Sequence, residues 1–308
     1  MAVKNGGNGN RILIITFLAT FLILTAATVI IIYLPKLQSI QHIPSSYDVK
    51  IPDWAYFVAP GYEKVVMMNF TEVFKTTGNF SVFTSEELLE VLGFSTTVTV
   101  RNCASAVVVL YPNPNPNSEE LALNILKLDS PTYSALKKEL EAKAIENTTY
   151  GDSVIYQVIR STSGTPAYVT GYTSLKNGFL LYSDSAKGLS ILEGALGNEA
   201  GTSRLIDEPK VKAAFYVLSP SEDLAFSYSI FPYSVSDVVA TSTKVSYESN
   251  KIVTRSLYAF NTTEAAEKNL DNIKQANKNA TDFQVMDNYI LVVARYDKSY
   301  LMGELRSL

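Results

Sequence analysis

The chain has 308 residues, with 26 Lys and Arg against 30 Asp and Glu and a formal net charge of −4. That mildly acidic balance speaks against nucleic-acid binding, which needs clustered cations to neutralise phosphates. One cysteine (Cys103) rules out an intrachain disulfide, and one histidine (His42) leaves zinc without its usual N and S ligands.

Residues 1–11 carry Lys4 and Arg11 and no acid. Ile12–Leu34 then runs for 23 residues without a charge, a glycine or a proline. As a helix it would span roughly 34 Å, enough to cross a bilayer core of about 30 Å with some tilt. The positive-inside bias places residues 1–11 in the cytoplasm, which predicts a plasma-membrane anchor with the bulk of the chain extracytoplasmic. A cleaved signal peptide, with Thr25-Ala26-Ala27 as the cleavage site, is the competing reading. The run continues to Leu34, longer than an ordinary signal core. A buried helix is the third reading.

Residues 35–54 contain Pro35, Pro44 and Pro52 and read as a stalk. Two extracytoplasmic modules are expected beyond it, 55–200 and 208–308, joined by the small, polar stretch 197–204. In the first, Tyr62–Asn69 reads as a strand followed by a short helix. Thr84 and Glu87 have capping-box spacing and predict a helix through Leu92. Thr96–Arg101 and Ser105–Tyr111 read as strands rich in β-branched residues. The Pro-Asn repeat at 112–117 reads as a stiff exposed loop.

Leu121–Leu128 reads as a strand, Asp129-Ser130-Pro131 as a helix start, and Thr132–Glu146 as the helix. The same order returns in Ile252–Phe260, the cap Asn261-Thr262 and the helix Thr263–Asn277. Each half then closes with a turn, a buried strand and a helix. The turns are Asn177-Gly178 and Asp287-Asn288, and the helices Ala186–Leu196 and Lys298–Leu308. One extra strand, Ser153–Arg160, lengthens the first half before Ala167–Leu175. The expected class is α+β: two related modules of antiparallel sheet plus helix, close to the split βαβ of ferredoxin-like folds, with the helices on one face.

Catalytic constellations are sparse. His42 is the sole histidine and lies in the stalk, so no Ser-His-Asp triad can be assembled. No glycine-rich phosphate loop and no calcium loop occurs, and no cofactor or metal is expected. One Ser-x-x-Lys, Ser134 with Lys137, opens a helix as in certain serine hydrolases, but such pairs also arise by chance. The acidic pairs Glu119-Glu120, Asp207-Glu208 and Glu222-Asp223 read as solvated turns. Tyrosines such as Tyr156, Tyr168, Tyr172, Tyr182, Tyr228, Tyr247 and Tyr258 read as strand packing. Five acceptor sequons begin at Asn69, Asn79, Asn147, Asn261 and Asn279, all at predicted element ends where a glycan could attach.

The functional expectation is a non-enzymatic envelope or surface component. It would contact the bilayer through 12–34 and act through a protein partner or self-association. The alternatives are a cell-surface ligand- or glycan-binding receptor and a membrane-bound serine hydrolase using Ser134 and Lys137.

Overall fold

The computed structural model describes residues 43–44, 48–79, 87–113, 121–161, 168–185, 187–197, 204–220, 223–231 and 237–300. Residues 1–34, His42, positions 114–117 of the Pro-Asn loop and the end of the expected Lys298–Leu308 helix lie outside these. Among the described residues no helix is long and apolar enough to cross a membrane.

A 3-10 turn, Asp53–Phe57, leads into β1 (Lys64–Asn69). There Val65 and Met67 turn to one face of the sheet and Val66 and Met68 to the other. Asn69 ends the strand and caps α1 (Phe70–Thr77), its side chain accepting from the Glu72 N–H at 3.1 Å. Gly78, at φ +73°, closes that helix in the left-handed conformation that a side chain would disfavour. A small ribbon, β2 (Glu87–Leu89) and β3 (Val98–Thr99), precedes the long strands β4 (Cys103–Tyr111) and β5 (Leu121–Leu128). The capping-box helix expected through Leu92 is corrected by this ribbon. Leu89 and Val91 are buried and Val91 bridges Arg160, so tertiary packing overrides the local helix signal.

Helix α2 (Ser130–Lys143) starts at Asp129, whose carboxylate accepts from the Thr132 N–H at 2.8 Å. Four strands follow: β6 (Glu146–Tyr150), β7 (Ser153–Ser161), β8 (Tyr168–Lys176) and β9 (Phe179–Ser183). Asn177 and Gly178 take positive φ in the β8–β9 turn, as the hairpin reading requires. Helix α3 (Gly188–Leu196), a 3-10 turn at Arg204–Asp207 and helix α4 (Pro209–Leu218) lead into a three-strand meander. Its strands are β10 (Ala225–Ile230), β11 (Val238–Glu248) and β12 (Lys251–Phe260). Thr262 caps α5 (Thr263–Ala276), and β13 (Ala280–Met286) and β14 (Tyr289–Tyr296) are the last two strands; residues 298–300 begin a helix, as expected.

The class is α+β around one large antiparallel sheet. Twelve strands run in the order β13-β14-β12-β11-β10-β1-β4-β5-β9-β8-β7-β6. The β1–β10 ladder, from Lys64↔Ser229 to Met68↔Ala225, makes the sheet continuous across the two halves. In the second half, β12, α5, β13 and β14 form a split βαβ, with β14 lying between β12 and β13. In the first half β9 returns beside β5 in the same way, with β8, β7 and β6 beyond it.

Helices cover both faces, not one as expected. The first face packs Val65, Met67, Val107, Phe226 and Tyr228 against Leu192 of α3 and Phe215 of α4. The incoming residues Ile43, Val49 and Ile51 pack on this same core. The second face packs Leu126, Leu180 and Tyr156 under Leu136 and Leu140 of α2. At the far end of that face, Phe260 and Ile290 lie under Ala266 and Ile273 of α5. The reason is in the strands themselves. Ile125 and Leu126 are consecutive and both buried, and all of β9 is buried, so each face needs a cover.

Candidate interaction surface

Ser134 and Lys137 both stand exposed on α2, with the Lys137 Nζ 4.0 Å from a Glu141 carboxylate oxygen. A lysine base for a serine nucleophile has to be shielded from water. This pair sits on a solvated helix face instead. Among the described residues no group of three or more His, Cys, Asp and Glu could hold a metal ion. Cys103 is buried, its thiol donating to the Ser105 carbonyl at 3.0 Å, and burial pushes that thiol up to about 12. It is a core residue, as its strand context suggested.

The acidic pairs separate. Asp207 is exposed, and Glu208 precedes α4 without bonding to it through its side chain. Asp223 is buried and pairs with the Lys244 Nζ at 3.0 Å, so it does not belong to a solvated turn. Lys244 also donates to the Ser219 carbonyl at the end of α4 at 3.3 Å. Glu119, Glu120 and Glu222 lie outside the described residues.

Most of the tyrosines are packed. Tyr156, Tyr182 and Tyr228 are buried, Tyr172 and Tyr258 half-buried, and Tyr247 exposed. The side chain of Tyr168 lies outside the description. The Arg160 guanidinium lies 4.5 Å from the centre of the Tyr182 ring and bonds Asp184 at 2.8 Å. Tyr62 and Tyr228 meet edge-on at 6.3 Å. Burial raises both hydroxyls well above the usual tyrosine range, and among the described residues neither has a hydrogen-bond partner.

A cleft of about 380 Å³ opens where the incoming chain meets the sheet. Lys50, Trp54, Met67, Lys127 and Phe179 line it. Lys127 reaches Asp53 at 3.6 Å and stands 5.4 Å above the Phe179 ring. Among the described residues, Pro220 is the one residue of the second half that borders this space.

The sequons divide by environment. Asn69 is half-buried, and its carbonyl oxygen is occupied in capping α1. Asn79, Asn147, Asn261 and Asn279 are exposed. Asn147 does not end a helix as expected, because α2 stops at Lys143 and Asn147 lies inside strand β6.

That strand is the feature sequence reasoning missed. All five residues of β6 are exposed, and among the described residues it pairs on one side only. Its ladder to β7 runs from Glu146↔Gln157 to Tyr150↔Ser153 without a bulge. Ile145 just before it, 56% exposed, and Tyr150 at its end, 38% exposed, add apolar surface. The opposite edge, β13, carries a register shift between Ala280 and Asp282, and Phe283 and Val285 on it pack beneath α5. Of the two edges of the large sheet, β6 is the one with a regular register and, among the described residues, no strand on its outer side.

No family model matches the sequence, and no curated protein matches it. Among solved structures, crystal form I of TP0453 aligns with a TM-score of 0.44 and 9% identity, covering 83% of this chain and 98% of that one. Crystal form III aligns with a TM-score of 0.45 and 8% identity, covering 86% and 100%. Crystal form IV gives 0.43 and 8%, covering 85% and 97%.

Proposed function

We propose that this chain is a single-pass membrane protein anchored through 12–34, with residues 1–11 in the cytoplasm and two related extracytoplasmic modules, 55–200 and 208–308. It works as a non-enzymatic envelope component through protein–protein contact. The observation that carries the contact reading is β6: a regular edge strand, unpaired on its outer side among the described residues, with Ile145 just before it and Tyr150 at its end both exposed. Such an edge offers unpaired N–H and C=O groups and is a ready site for strand addition. The module reading draws support from strand order. In each half a three-strand run is followed by a helix, and the last strand returns beside the third.

Location and contact are tested separately. An amine reagent that cannot cross membranes should modify the exposed Lys137 on intact cells and leave Lys4 untouched. Lys137 reacting only after lysis would refute the topology. A photo-crosslinking residue at Thr148 should trap a protein in high yield, and an empty crosslink there would refute the contact reading.

A further inference from the structure

We infer that the partner strand at β6 is β6 of a second copy, paired antiparallel about a two-fold axis through Thr148. This rests on the contact reading above and names its occupant.

Register decides it first. A two-fold at Thr148 is the one symmetric arrangement that pairs all five residues of the strand. Thr148 then faces the partner's Thr148, Asn147 faces the partner's Thr149, and Glu146 faces the partner's Tyr150. Hydroxyl and amide pairs of this kind are favourable across strands, whereas like charges placed opposite are not. Glu146 is the only charge in the strand. Antiparallel pairing keeps the two copies of it apart, while parallel pairing in register would set them side by side. A shift that puts Thr149 on the axis would oppose Glu146 to the partner's Asp152. The same two-fold at Thr148 lays the exposed Ile145 opposite the partner's Gly151. A Cβ at Gly151 would meet nothing within 4 Å, so there is room for the isoleucine.

Closure comes second. The other edge is bent by its bulge and carries the exposed Asp282, which discourages pairing there. Among the described residues the large sheet has this one usable edge per chain, which gives a closed dimer, whereas two would give a filament.

Orientation comes third. The axis of antiparallel pairing stands normal to the sheet, so both copies turn the same face to the same side. Ile43, Val49 and Ile51, which lead in from the apolar run, pack on that face in each copy. Both anchors can therefore enter one membrane.

The test is Thr148→Cys in the full chain, in mild detergent and in cells. The only native cysteine, Cys103, is buried and does not compete. Directly opposed Cβ atoms stand roughly 4.5–5.5 Å apart, close to disulfide reach. The expected result is rapid formation of a covalent dimer, with Asp282→Cys on the other edge remaining monomeric. Thr148→Lys, on an exposed side chain that the fold does not need, should weaken self-association by roughly tenfold or more in sedimentation velocity. Three results overturn the inference: no faster dimer for Thr148→Cys than for Asp282→Cys, an unchanged dimer for Thr148→Lys, or a glycan on Asn147, which would fill the pairing edge. A crosslink from Thr148 to a different protein would overturn self-pairing and leave the contact reading standing. No crosslink of either kind would remove both.

Discussion

Phe226→Ala tests whether the two halves fold as one unit. Phe226 is 1% exposed on β10, opposite Met67 of β1, at the seam where the halves join. It meets the Phe215 ring of α4 edge-on at 5.3 Å, and Phe215 in turn lies 6.1 Å from Trp54, ahead of β1. Removing a buried phenyl ring costs about 3–5 kcal/mol, transfer and cavity together. At 2–4 °C per kcal/mol for a chain of this size, the midpoint should fall by roughly 6–20 °C. Trp54 is the only tryptophan and is buried against Phe215 at the seam, so its fluorescence reports the seam, while far-UV circular dichroism reports the whole sheet. In urea the two signals should move together, in wild type and variant alike. If dichroism falls in two steps, and Phe226→Ala shifts only one of them while the Trp54 signal stays put, the seam does not couple the halves and the shared core is the wrong account of stability.

Glu248 accepts from Arg255, which holds its carboxyl down to about 2. Its folded pKa lies below the unfolded value of about 4.3, so the stabilisation is complete above that pH and disappears as pH falls towards 2. Urea midpoints between pH 6 and 2 should therefore drop less for Glu248→Gln than for wild type; parallel curves would show that the pair does not contribute. The Cys103 thiol, pushed up to about 12 by burial, should resist a thiol reagent at pH 8 until the chain is denatured; fast labelling of native protein would contradict its core position. Asn69→Ala should cost about 1 kcal/mol by removing the α1 cap, and Asn69→Asp should restore most of it. Equal losses for both variants would show that the side chain does something other than cap.

Periodicity and punctuation located much of this fold. Leu121–Leu128 has the predicted bounds, and the Asp129 and Thr262 caps sit where their helices begin. These elements are legible because local propensity and tertiary demand agree. Where they disagree, the sequence misleads. Thr84 and Glu87 have capping-box spacing, yet Glu87–Leu89 is a strand because Leu89 and Val91 are needed in the core beneath α2. Asp223 looks like a turn carboxylate, yet it is buried against Lys244, a partner more than twenty residues away that no local pattern reveals. Continuity of the sheet through β1 and β10 was illegible for the same reason, since their ladder joins positions far apart in sequence.

Strand β6 was illegible for a different reason, and that reason bears on its use. A strand announces itself by alternation only when one face is buried, and β6 buries neither. Its counterpart after α5 is β13, which also follows a helix and also ends the sheet. In the second half β14 alone separates β13 from β12, so the edge still lies beneath the helix and Phe283 and Val285 pack there. In the first half β9, β8 and β7 all lie between β6 and β5. The extra pair of strands carries the edge out from under α2, whose Leu136 and Leu140 share their core with residues as far out as β7, and leaves all five residues of β6 exposed. The difference between the halves thus converts a covered edge into an open one. A chain that must avoid aggregation would be expected to blunt such an edge with lysine, proline or a bulge, and β6 has none of these while β13 has a bulge. An unprotected edge on one side and a blunted one on the other is the asymmetry that pairing of exactly two copies requires.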